Sequence, residues 1–246
     1  HRQSSAASDV YKRQIKSNIL YGLYQSKNEI RKLDNCFLVE GYTDVISLFQ
    51  IGIENVVASS GTSLTTNQIK LISRYTKNIT ILFDGDKAGV AASLRGMDLI
   101  LENDMNVEIV SFPEGDDPDS YSKKVGKDKF QEFIDYNKTN LITFKVNQLQ
   151  ENEDNPVKKS EMIYDIVRSI SKIPNSIKRS LFLKEASNSL EINEQALISE
   201  MNKLLLDQGN KSIRSNQIIV NNEKESPRED SINSAIDFYE RECIRM

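Results

Sequence analysis

"ILFDGDKAG", residues 81–89, runs three apolar residues straight into two acids spaced i and i+2. In an extended segment, side chains at that spacing leave on the same face. Asp84 and Asp86 therefore converge where the run ends, which is costly unless a counter-cation relieves the repulsion. Gly85 between them and Gly89 after them allow tight backbone geometry. By itself the stretch supports two readings: a carboxylate pair for a metal ion, or a helix N-terminus at which Asp86 favours the dipole. A calcium-binding EF-hand loop is excluded. Counted from Asp84, position 5 would be Ala88 and position 12 Arg95, where that loop needs oxygen ligands.

Outward from this stretch, residues 36–121 alternate between short apolar runs and amphipathic segments. Strands are expected at 36–40 ("CFLVE"), 55–59 ("NVVAS"), 78–84 ("NITILFD") and 107–112 ("VEIVSF"). Helices are expected at 43–52, 65–76 and 88–103, the first closing on Gly52. This alternation predicts a parallel sheet covered by helices on both faces. Sites in such sheets gather beyond the carboxyl ends of the strands.

Two further acidic groups fall there. "LVEGYTDV" puts Glu40 at the end of the first strand and Asp44 one turn into the next helix, with Gly41 permitting close backbone approach. "EGDDPDSY" puts Asp117 and Asp119 around Pro118 after the fourth strand. Taken singly, Glu40 reads as a solvated strand end, Asp44 as a helix-start residue and "DDPD" as a turn with a helix cap. Three such groups in one α/β unit point instead to a shared site, and all-oxygen ligands suit Mg²⁺ or Mn²⁺.

From 127 to 206 the period is helical throughout, with apolar residues at i, i+3 and i+4 over five segments. Pro156 and Pro174 punctuate them, and "SLEINEQ" offers a cap before the last. The apolar stripes read as the core of a helical bundle. Residues 207–230 are polar and read as a linker. A helix at 231–246 stops at Met246 with its apolar face unfinished, so truncation is expected there.

Composition narrows the function classes. Apolar residues make up 38% of the 246 and charged residues 28%, as in an ordinary globular protein. No window approaches the ~18 uninterrupted apolar residues of a membrane span, and the first residues lack a secretory signal, so a cytoplasmic location without membrane contact is expected. Cys36 and Cys243 lie far apart, and His1 is the only histidine. Disulfide scaffolds, Cys-based zinc sites and His-dependent catalysis are thereby disfavoured. Charge is uneven. Residues 1–33 hold seven basic and two acidic side chains, whereas 34–121 hold five basic and 14 acidic, a net −9. An acidic domain repels nucleic acid unless cations bridge the two.

"FLVEGYTDVISL", "VASSGTSLT", "ILFDGDKAG" and "DDPDSY", in this order and spacing, resemble the Toprim domain. With "LYGLYQSK" (20–27) before the first strand, the set is similar to the bacterial replicative primase, or DnaG, family over about residues 15–205. The resemblance implies an α/β fold, a Toprim-type parallel sheet flanked by helices, followed by an all-α helical bundle. It implies that 15–35 end an N-terminal primase subdomain, that 36–126 form the Toprim metal-binding domain and 127–206 a helical subdomain. By the same resemblance 231–246 begin a C-terminal helicase-binding domain. Residues 1–14 do not match the family there and are expected to be a foreign or mis-joined end.

The resemblance also implies roles. Glu40, Asp84 and Asp86 would be catalytic. Asp44, Asp117 and Asp119 would join them in holding Mg²⁺ or Mn²⁺. Lys16 matches a basic position that contacts nucleotide or nucleic acid. Ser60, Gly61 and Thr62 would line the same face, although a tight turn explains that loop equally well. Zinc is expected only in a preceding N-terminal domain of the family. The implied reaction is DNA-directed RNA polymerase chemistry: a nucleotidyltransferase that makes short RNA primers from NTPs on a single-stranded DNA template. The replicative helicase would be a partner through the C-terminal domain. This chain alone is expected to be weakly active or inactive. The alternatives are a Toprim nuclease of the OLD or M5 type, against which "LYGLYQSK" argues, and a non-catalytic helicase-binding module. Type IA topoisomerase and RecR-like readings fail on length and on cysteine count. A primase–helicase fusion would need a Walker A motif, which does not occur.

Overall fold

Each of the four apolar runs forms a short parallel strand in the computed structural model, which describes residues 16–59, 64–83, 96–152 and 155–207. The strands are β1 (Cys36–Val39), β2 (Val56–Ala58), β3 (Asn78–Phe83) and β4 (Asn106–Ser111). They are buried along almost their whole length, because helices cover both faces and neither side needs a polar alternation. Phe37 pairs with Val56, Cys36 with Ile79, and Ile79 with Val107. The order β2-β1-β3-β4, with β5 (Thr139–Asn140) beyond β4, places β1 and β3 side by side.

The last strand departs from expectation. β5 (Thr139–Asn140) runs antiparallel to β4, with Ile109 opposite Thr139, inside the stretch read as helical throughout. The sheet is therefore mixed. Two residues are too few to carry a period. Lys138 is already extended, and Asn140 accepts the Thr143 N–H at 2.8 Å, so the segment doubles as the entry to a helix.

Helix α1 (Leu23–Leu33) precedes β1, α2 (Tyr42–Gln50) joins β1 to β2, and α3 (Thr66–Ile72) joins β2 to β3. Thr65 caps α3 by accepting the Gln68 N–H at 3.2 Å, while the Gln68 side chain returns to the Thr65 N–H at 3.0 Å. A fourth, α4, is described over 96–102. After β4 come α5 (Pro118–Val125) and α6 (Lys127–Asn137). One face of the sheet buries Phe37, Val39, Leu82, Val110 and Phe112 against Val45 and Leu48 of α2 and Phe130 and Ile134 of α6. Phe112 anchors this layer, 5.4 Å from the Tyr121 ring and 5.7 Å from Phe130.

The remaining helices are α7 (Leu141–Asn152), α8 (Pro156–Ser171), α9 (Ser176–Leu190) and α10 (194–207). Asn155 and Asn175 cap α8 and α9, and Pro156 occupies the first turn of α8, where its missing N–H costs nothing. Asn193 accepts the Gln195 N–H at 2.8 Å, the cap expected from "SLEINEQ". A charge cluster around the buried Lys145 and Asp98 ties these helices to the sheet layer. Lys145 of α7 reaches Asp165 at 2.8 Å and Asp98 of α4 at 3.5 Å, and Lys172 bridges Asp98 and Glu102 at 3.1 Å each. The chain divides into two units, His1–Met201 and Asn202–Met246. Of the second, only the helical residues 202–207 are described. No helix among the described residues is long and apolar enough to cross a membrane.

Candidate metal centre

β1 delivers Glu40 to its carboxyl end, where the side chain is exposed, and the chain turns into α2 through Gly41. Asp44, in the first turn of α2, folds its carboxylate back to accept the Gly41 N–H at 3.0 Å. That contact explains the glycine. A Cβ at position 41 would lie 3.0 Å from Asp44 Oδ2. The bond satisfies one of the helix's orphan donors and places a negative charge at the positive end of its dipole.

α5 packs against α2 and brings the third acidic group to the same end of the sheet. Asp117 caps α5, accepting the Ser120 N–H at 2.6 Å while its own N–H donates to Ser120 Oγ at 3.0 Å. Pro118 is buried in the first turn. Asp119 faces α2, where the buried Ser47 donates its hydroxyl to it across 72 residues of sequence. Lys123, one turn on, lies 2.7 Å from Asp119, and Lys124 pairs with Asp116.

The electrostatics agree with this placement. Burial pushes the Asp44 carboxyl up, and the charges of Asp117, Asp119 and Glu40 push the same way, against the Gly41 N–H. Asp119 is held down by Lys123 and then by Ser47. Hydrogen bonding from Lys124 holds Asp116 down. Ordinary local duties, a cap for Asp117 and a helix-start bond for Asp44, thus coexist with four carboxylates set at one end of the sheet. The donor chemistry suits a hard divalent cation, and the ammonium of Lys123 already stands on Asp119 as a cation would. Among the described residues, however, no three acids close into a cage by themselves.

The expected remainder falls elsewhere. β3 ends at Phe83, beside β1, and Asp84 and Asp86 lie outside the described residues, as do Ser60, Gly61 and Thr62. Lys16 begins a short 3₁₀ turn, Lys16–Asn18, docked on the start of α3: Thr65 donates to the Ser17 carbonyl at 2.6 Å and Gln68 to that of Ile19 at 2.9 Å. Sequence reasoning missed Ser47 and Lys123. The signal for each was helical spacing, Ser47 three residues after Asp44 and Lys123 four after Asp119.

Parallel strands in the order β2-β1-β3-β4, with acids following β1 and β4, define a Toprim-type α/β domain. A Toprim-like family model matches residues 37–122, and a model of the DnaB-helicase binding domain of primase matches 142–195. A DNA primase of Clostridium acetobutylicum is 38% identical over 199 residues, covering 79% of this chain and 33% of its own length. Among solved structures, a DNA primase domain from Pseudomonas aeruginosa superposes with a TM-score of 0.67 at 31% identity, over 78% of this chain and 60% of that one. A DnaG primase catalytic domain solved bound to single-stranded DNA gives 0.63 at 30%, over 71% and 58%. The chain belongs to the DnaG-type DNA primase family. It spans about a third of the length of the curated relatives it matches. The helicase-binding match falls on α7–α9 and the start of α10, whereas 231–246, read as the start of such a domain, lies outside the described residues.

Proposed function

We propose that this chain supplies the metal-binding part of a primase that makes short RNA primers from nucleoside triphosphates on single-stranded DNA. The observation that carries the reading is the packing of α5 on α2, which sets Asp117 and Asp119 at the same end of the sheet as Glu40 and Asp44, in a chain of the primase family. Glu40, Asp44, Asp84, Asp86, Asp117 and Asp119 hold Mg²⁺ or Mn²⁺, with Glu40, Asp84 and Asp86 nearest the reacting groups. The cations would supply charge stabilisation to the triphosphate and activation of the primer 3′-hydroxyl. The protein's own contribution is geometric. Gly41 fixes Asp44, Ser47 fixes Asp119, and the α2–α5 contact holds the two together. Lys16, Ser60, Gly61 and Thr62 contact nucleotide or nucleic acid on the same side. Metal loading also answers the charge problem, because a net −9 segment that repels phosphate becomes attractive once cations fill it.

The replicative helicase is the expected protein partner, and the match over 142–195 favours α7–α9 as the segment that meets it. In the longer protein, RNA synthesis on single-stranded DNA with added triphosphates is the test. Nicking of DNA without triphosphates would favour the Toprim nuclease instead. Helicase binding with neither activity would favour a non-catalytic module.

A further inference from the structure

The Asp119 carboxylate is held from two sides by groups of opposite consequence. From α2, Ser47 is only 6% exposed and donates its hydroxyl to Oδ1. From the next turn of α5, the Lys123 ammonium lies 2.7 Å from Oδ1 and 2.8 Å from Oδ2. An ionised carboxylate has about four lone-pair sites. A neutral hydroxyl takes one and leaves the charge intact, aiming the rest. An ammonium takes sites on both oxygens and cancels the charge.

Their mobility differs in the same sense. Ser47 is buried three residues after Asp44, on the same side of α2, so its hydroxyl couples Asp119 to the helix that carries Asp44. The Lys123 side chain is more than half exposed and can be released to water at little cost.

We propose that Ser47 and Lys123 are opposed positioning residues for Asp119: Ser47 presents the carboxylate to a divalent cation, and Lys123 competes with that cation for it. This rests on the assignment of Asp119 to a metal centre. Lys123 then serves as a placeholder that prevents the carboxylate from standing uncompensated before the metal arrives.

The test is calorimetric titration of Mn²⁺ into the full chain. Ser47→Ala should weaken binding by about three- to tenfold, the equivalent of one lost hydrogen bond. Lys123→Gln should tighten it by about two- to threefold, the strength of an exposed i,i+4 pair. Lys124→Gln is the charge control, since it removes the same charge from a pair with Asp116 rather than Asp119. A purely structural role can weaken binding but cannot tighten it. If Ser47→Ala melts early, Ser47→Cys replaces it, with a weak donor of similar size and the same expectation. The inference is overturned if Lys123→Gln tightens binding no more than Lys124→Gln, or if the Ser47 variants bind as the unmodified chain does. Mn²⁺ binding that is absent, or unchanged by Asp84→Ala with Asp86→Ala, would overturn the metal-centre assignment and the inference with it.

Discussion

Lys145 and Asp98, 47 residues apart, meet at 3.5 Å with both side chains under a tenth exposed. Removing one partner of such a pair strands the other charge in a low-dielectric site. Asp98 keeps Lys172 at 3.1 Å, so Lys145→Met should destabilise the protein by about 1–3 kcal/mol in urea unfolding, less than a fully stranded buried charge would cost. Adding Asp98→Leu to Lys145→Met should recover much of the loss. A double variant as unstable as the single one would show that packing, not charge, governs this contact.

Asp44 gives a pH dependence of definite sign. Its carboxyl is raised above the ordinary 3.8, first by burial and then by its acidic neighbours. The folded chain then binds more protons than the unfolded one, so stability falls as pH rises from about 3.8 through the raised value. Asp44→Asn should remove that slope and raise the melting temperature of the metal-free protein at neutral pH, while the Asn carbonyl still accepts from Gly41. Added Mn²⁺ should stabilise the unmodified chain and not this variant. Thermal melts across pH, with and without Mn²⁺, measure both effects.

Gly22 sits at φ +81°, in the left-handed region, with Val45 Cγ1 3.0 Å and the Val56 carbonyl oxygen 3.3 Å from the position a Cβ would take. Gly22→Ala incurs the left-handed penalty of about 1–2 kcal/mol and a clash in addition. A melting temperature lowered by several degrees is expected, more than for Gly115→Ala, whose φ of +84° incurs the same backbone penalty but whose Cβ meets nothing within 4 Å.

Cys36 is fully buried at the start of β1, and burial pushes its thiol well above the usual range. The thiolate is the reactive form. Iodoacetamide should leave Cys36 unmodified in the folded protein and label it in denaturant, as read by peptide mass spectrometry.

The four parallel strands and the helices between them were legible because each run has its own period and length. The acids were legible too, since Glu40, Asp44, Asp117 and Asp119 stand at fixed offsets from strand ends. What pairs with them was not. The Ser47–Asp119 bond joins residues 72 apart, and Lys145 finds Asp98 only once α7 packs beside β4. No local pattern encodes either meeting. β5 escaped for a different reason: its two residues are extended only because β4 offers them an open edge.

The opposite edge of the sheet has a consequence for solubility. β2 is a three-residue margin strand, and its outward groups are already occupied: Tyr21 exchanges both backbone bonds with Ala58, at 3.0 and 3.1 Å, and Ser26 donates to the Val56 carbonyl at 2.6 Å. A strand this short, with its donors and acceptors spoken for, offers no template for another chain to zip onto. The "LYGLYQSK" segment thus acts as a selvedge that keeps the weave from running into its neighbour's.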